Sequence, residues 1–150
     1  MQKKIIATIL VSILILFYIF DPQQTNVWNA SVKHLNVFHL ILNSVTLYSL
    51  YTSQLNNFKP YIIIPSCYLI AVIAFYVSDD VAIGASGAIL ALFGFIVSKN
   101  INKHNLAITA IVIALSFLPG IATTVHLVAI LLSMLVGLIV NAIIYIGNHV

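Results

Sequence analysis

Long apolar runs alternate with short polar breaks along the whole chain. The runs cover roughly residues 4–20, 36–53, 60–78, 86–98, 106–118 and 124–147. A helix rises 1.5 Å per residue, so crossing a ~30 Å hydrocarbon core takes about 20 apolar residues. The first, third and sixth runs reach that length comfortably, while the fifth is short unless it extends through Pro119. The pattern predicts an all-α membrane protein, a bundle of six transmembrane helices. With short loops, no repeat and no low-complexity stretch, residues 1–150 read as one membrane domain.

The fourth run is too short to cross. From Ser86 to Ser98 it gives about 20 Å of helix, and Lys99 marks its cytoplasmic end. Its other end should therefore stop about 10 Å below the opposite surface. The preceding segment DDVAIGA, residues 79–85, has to descend into the protein to meet it. Irregular backbone at membrane depth is tolerated only where protein buries it or water fills a cavity. A short helix that starts inside the bundle, at Gly84-Ala85-Ser86-Gly87, thus predicts a wet internal cavity.

Composition strengthens the membrane reading. Of 150 residues, 62% are hydrophobic and 6% charged, against about 25% charged in soluble domains. The net charge of +3 comes from scattered lysines without any arginine, which does not suggest a nucleic-acid partner. With the N-terminus inside, Lys3, Lys4, Lys59, Lys99 and Lys103 fall on the cytoplasmic side and only Lys33 outside. That is a clear positive-inside bias, and six spans return the C-terminus to the cytoplasm. The first run resembles a secretory signal, but it is too long and lacks a small-x-small cleavage site before Asp21, so it reads as a retained helix. Cys67, the lone cysteine, lies in an apolar stretch and reads as a packing residue.

Against this background the polar residues within spans are informative, because such groups are costly in lipid and functional by default. His34 precedes the second helix, and His39 and Asn43 lie four apart on one face of it. Ser86 starts the fourth helix and His126 the sixth, so all five fall toward the extracytoplasmic ends. A metal site built on His34, His39 and His126 would lack a carboxylate at membrane depth, since the chain has no Glu. Nucleophilic chemistry uses the residues better: a serine needs an adjacent base, and His126 is the candidate. A developing oxyanion needs preorganised donors, which His39, Asn43 and the unpaired Ser86 N–H at a helix start can supply. Asp79 and Asp80 read as solvated loop charges, which favours a dyad over a triad. Small residues on the fourth helix (Gly87, Ala88, Ala91, Gly94) and the sixth (Ala129, Ser133, Gly137) would let the two backbones approach closely.

Three motifs in this order resemble the rhomboid intramembrane serine proteases. HLNVFHLILN is similar to the family's histidine–histidine–asparagine motif, GASGA to its Gly-x-Ser-Gly motif, and His126 with its small-xxx-small steps to its base-bearing helix. The resemblance covers nearly the whole chain. It implies a six-helix rhomboid-like bundle with Ser86 as nucleophile, His126 as general base, and His39 and Asn43 as oxyanion donors. His34 would be a buried structural histidine, with Gly84 and Gly87 supporting the nucleophile. It also implies single-span membrane proteins as substrates, no cofactor, and a multi-pass location in a bacterial plasma (inner) membrane with the site open to the extracytoplasmic side.

The sequence departs from the family pattern in places. Leu90 stands where the family has an aromatic residue stacking on the histidine, and Ala129 and Ser133 replace glycines. Trp28-Asn29 stands in the short first loop where many members carry Trp-Arg. Two rival readings are an inactive rhomboid-like binder of transmembrane helices and a small transporter. The first should lose Ser86 or His126; the second should carry polar residues through to the cytoplasmic side, where LYSLY, ILALFGFIV and LLSMLVGLIV are nearly all apolar.

Overall fold

The computed structural model describes residues 2–20, 33–34, 36–54, 59–78, 84–117 and 122–147. Six helices follow one another: α1 (Gln2–Phe20), α2 (Val37–Gln54), α3 (Pro60–Val77), α4 (Ser86–Lys99), α5 (Lys103–Ser116) and α6 (Thr123–Gly147). Five begin and end within two residues of the apolar runs. The exception is α5, which begins three residues earlier than its apolar run because Asn102 caps it, its side chain accepting from the Asn105 N–H at 2.8 Å. Asn36 plays the same part for α2, accepting from the His39 N–H at 2.9 Å. The proposed extension of α5 through Pro119, the descent through residues 79–83, the aspartates Asp21, Asp79 and Asp80, and the Trp28-Asn29 pair lie outside the described residues.

Helix lengths differ from expectation in one respect. Among the described helices α1 and α6 combine the length and hydropathy of a full span. At 18 residues α3 falls just short of a full crossing, about 27 Å at 1.5 Å per residue. The 14 residues of α4 give a shorter rod, about 21 Å. It is also the most enclosed helix, buried continuously from Ala91 to Ser98. It packs against α6 most extensively, then α3, and touches α2 and α5. α1 packs on α2, while among the described helices α5 leans only on α6 and α4. Large apolar side chains such as Ile9, Leu42, Tyr61, Leu131 and Ile143 face outward. An apolar exterior around buried Asn43, Ser98, Thr109 and Ser133 suits lipid as the surrounding solvent.

The α4–α6 seam sets the geometry of everything that follows. A Cβ on Gly94 would collide with the Ser133 hydroxyl and lie 2.7 Å from the Ile130 carbonyl oxygen. One on Gly137 would collide with the Ser98 hydroxyl. Ala91 and Ala129 are fully buried in the same core. Ser86 meets His126, Gly94 meets Ser133 and Ser98 meets Gly137 at a nearly constant offset, so the two helices run parallel and in register. The hydroxyls of Ser98 and Ser133 are satisfied within their own helices, by the carbonyls of Phe95 at 2.8 Å and Ile130 at 2.9 Å. Asn141 ties the far end, its amide donating to the Ser98 carbonyl at 3.0 Å. Ala88 also lines an apolar cavity of about 120 Å3 shared with α1, α2 and α3. Buried Cys67 lines the same cavity.

Because the Ile130 backbone carbonyl as well as the Ser133 side chain opposes Gly94, the helices have to separate to admit a methyl group. Gly94→Ala is expected to lower stability by about 1–2 kcal/mol, overpacking outweighing the better helix propensity of alanine. Gly147, with nothing within 4 Å of its added Cβ, is the control that should be neutral. Unfolding of both variants in mild detergent by steric-trap or denaturant titration makes the comparison.

Candidate active site

Ser86 is the first residue of α4, so its side chain projects from the inner end of the short helix. Ala85, the preceding residue, offers no side-chain cap. The first N–H groups of α4 have no partner within the helix and stand at the positive end of its dipole. His126 lies in the first turn of α6. The in-register seam brings the two ends together, and His126 Nε2 lies 2.8 Å from Ser86 Oγ. That is within reach for proton transfer from a serine to a base.

The second ring nitrogen has a partner that the sequence did not signal. Nδ1 of His126 lies 3.4 Å from the hydroxyl of Ser116, the last residue of α5. The Ser116 carbonyl accepts from the Thr123 hydroxyl at 2.6 Å, fastening the end of α5 to the start of α6. A lone serine in an apolar helix carries no signal of its own, since such hydroxyls ordinarily bond their own backbone.

Ser86 and His126 both line a cavity of about 200 Å3 between α2, α4, α5 and α6. Asn43, Ser86, Ser116 and His126 supply polar groups to its wall. Leu90, Val112 and Leu115 supply apolar ones. On its lipid side stand exposed Thr46 of α2 and exposed Leu115 of α5. α2 and α5 do not pack against each other among the described residues, so the cavity opens sideways between them.

Asn43 is buried, and its side-chain Nδ2 has no hydrogen-bond partner among the described residues. An unpaired buried donor is unusual and calls for a reason. His39 shares the Asn43 face of α2 but lies higher, against the backbone before the nucleophile. A Cβ on Gly84 would collide with the His39 ring and come within 3.3 Å of the Asn43 amide. Gly84 has φ +131°, a conformation that favours glycine, so its backbone and the close approach both demand that residue. The ring of His34 packs edge-on to that of His39, with centroids 5.2 Å apart, and His34 is buried at the mouth of α2. His39 does not line the cavity that holds Ser86 and His126. Gly87, next to Ser86, is closely packed: an added Cβ would sit 3.3 Å from Ala71 and 3.4 Å from Val125. Leu90 lies one turn after Ser86 on the cavity wall, with its aliphatic side chain in the place of an aromatic ring. No three His, Cys, Asp or Glu side chains gather as metal ligands would among the described residues.

Comparison with curated proteins gives no significant match, and neither does comparison with solved structures. The family model described as the rhomboid domain matches residues 21–149, well over half of the chain. With its six apolar helices, this chain belongs to the rhomboid family and is an integral, multi-pass membrane protein.

Proposed function

We propose that this rhomboid-family member is an intramembrane serine endopeptidase that cuts peptide bonds in or near transmembrane segments of single-span membrane proteins. The observation that carries this reading is the 2.8 Å contact between Ser86 Oγ and His126 Nε2 at the floor of a laterally open cavity. In the proposed reaction His126 Nε2 takes the Ser86 proton as Oγ attacks the scissile carbonyl carbon. The oxyanion so formed is held by the N-terminal amides of α4 and by Asn43. His126 then returns the proton to the leaving amine, and the peptide bond breaks to leave an ester on Ser86. Water, deprotonated by the same nitrogen, attacks that ester, restoring the Ser86 hydroxyl and releasing a new carboxyl terminus.

The opening between α2 and α5 suits a substrate that arrives from the lipid. A helix reaching Ser86 would still need its backbone exposed, so helix-breaking residues near the cut favour cleavage. Below Ser86 the buried run from Ala91 to Val97 is wholly apolar apart from backbone, which disfavours a path through the membrane. Lys59 and Lys99 flank one pocket with Asn141, at the opposite end of α4 from the dyad. This arrangement, with the lysine bias, supports a site facing the extracytoplasmic side and cytoplasmic termini.

A fluorophosphonate tests the nucleophile directly. The wild-type protein in lipid should be labelled at Ser86, and neither Ser86→Ala nor His126→Ala should label. A wild-type protein that stays unlabelled, while a known active rhomboid labels beside it, would favour a binding role for the same cavity.

A further inference from the structure

We propose that Ser116 is a positioning residue for the base: its hydroxyl accepts the His126 Nδ1 proton and so holds the imidazole in the tautomer that can deprotonate Ser86. The inference rests on the serine-protease reading above and adds a third group to the dyad, from a different helix.

The argument turns on where the hydroxyl proton goes. Ser116 is 3% exposed, and its Oγ donates to the Val112 carbonyl at 3.0 Å. A serine hydroxyl has one proton and two lone pairs. With the proton committed to Val112, what faces His126 Nδ1 at 3.4 Å is a lone pair. Nδ1 is then the donor, and a neutral imidazole carries only one proton. Nε2 is left bare, 2.8 Å from Ser86 Oγ, ready to accept. The opposite tautomer would set an N–H against the Ser86 hydroxyl and leave two acceptors facing each other at Ser116.

Ser66, Ser98 and Ser133 also donate to their own helices, at 2.9, 2.8 and 2.9 Å. Ser116 differs in that a nitrogen of the base sits on its acceptor side. It is also fixed in place. Its carbonyl accepts from Thr123, three residues before His126 and thus on the same face of α6. The 3.4 Å separation is long for a hydrogen bond, and charging the ring strengthens and shortens such contacts. A hydroxyl is neutral, so it orients the ring and supports the imidazolium less strongly than a carboxylate would.

The test is steady-state cleavage of a single-span substrate in lipid vesicles by wild type, Ser116→Ala and Ser116→Thr. Ser116→Ala should lower kcat about tenfold, the loss of one neutral hydrogen bond, with KM unchanged. Ser116→Thr should recover to within about threefold, because its Oγ1 can make the same back-bond, as Thr109 does to the Asn105 carbonyl at 2.7 Å. Wild-type kcat in Ser116→Ala, or equal loss in Ala and Thr, would overturn the proposal. If the alanine variant fails to fold, nitrogen-15 NMR of the wild-type imidazole, assigned by its loss in His126→Ala, decides the matter. The proton of neutral His126 should reside on Nδ1; finding it on Nε2 would overturn the proposal. Failure of the protease reading itself would look different, as absence of Ser86-dependent cleavage by the wild type, and the tautomer measurement still stands in that case.

Discussion

Replacing either Ser86 or His126 with alanine is expected to abolish cleavage of a transmembrane substrate, lowering kcat by at least about 10⁴-fold while the bundle stays folded. Two physical reasons separate the activity loss from the fold. Ser86 begins α4 and His126 lies in the first turn of α6, both only partly buried at the cavity. The packing that joins these helices runs deeper, through Gly94 with Ser133 and Ser98 with Gly137. Neither substitution adds an atom to that seam. The two residues act as one unit, so the double variant should be no worse than the single ones, a non-additivity that independent contributions would not give. Purified variants compared by circular dichroism and by cleavage of one fluorescent substrate make the measurement. Retained turnover in either single variant would remove the proposed mechanism.

The next largest effect is expected at Asn43. Among the described residues its Nδ2 is a buried donor without a partner, on the wall that also carries Ser86. A donor left idle in the resting protein costs stability and is repaid only if an acceptor arrives later. An oxyanion is such an acceptor. Asn43→Ala should lower kcat by about 10²-fold or less, because the α4 amides still serve the same charge. KM should hardly move, since the bond forms only in the transition state. Stability should stay level or rise slightly, because the substitution removes an unpaired group. A purely structural asparagine would behave in the opposite way, losing stability with little change in kcat at fixed substrate.

Most of the scaffold was legible in the sequence, for a simple reason. In lipid a helix has to be apolar along its length and satisfy its own backbone, so polar breaks mark the loops. The early start of α5 was missed because it depends on a cap, Asn102, that precedes the apolar run by several residues. The short α4 was visible because Ser86 and Lys99 bracket it. The small residues announced a close α4–α6 approach. Their register could not be read, nor could the apolar cavity that Ala88 lines with α1, α2 and α3. Ser116 shows the limit most plainly. Its contact with His126 comes from the packing of the end of α5 against the start of α6, and one serine among several self-bonded serines looks like any other. Gly84 was noticed as a neighbour of the nucleophile. Its left-handed φ and its contact with the His39 ring belong to the three-dimensional approach of α2, which the local sequence does not encode.

The most direct measurement is to co-express the protein with single-span membrane proteins and sequence the new termini by mass spectrometry, in wild type and in Ser86→Ala. The account predicts a cut in or beside an apolar segment, near residues that loosen a helix, present with wild type and absent with Ser86→Ala. The same fragments in both, or no fragment while an active rhomboid cuts in parallel, would contradict the claim that Ser86 and His126 form a working protease.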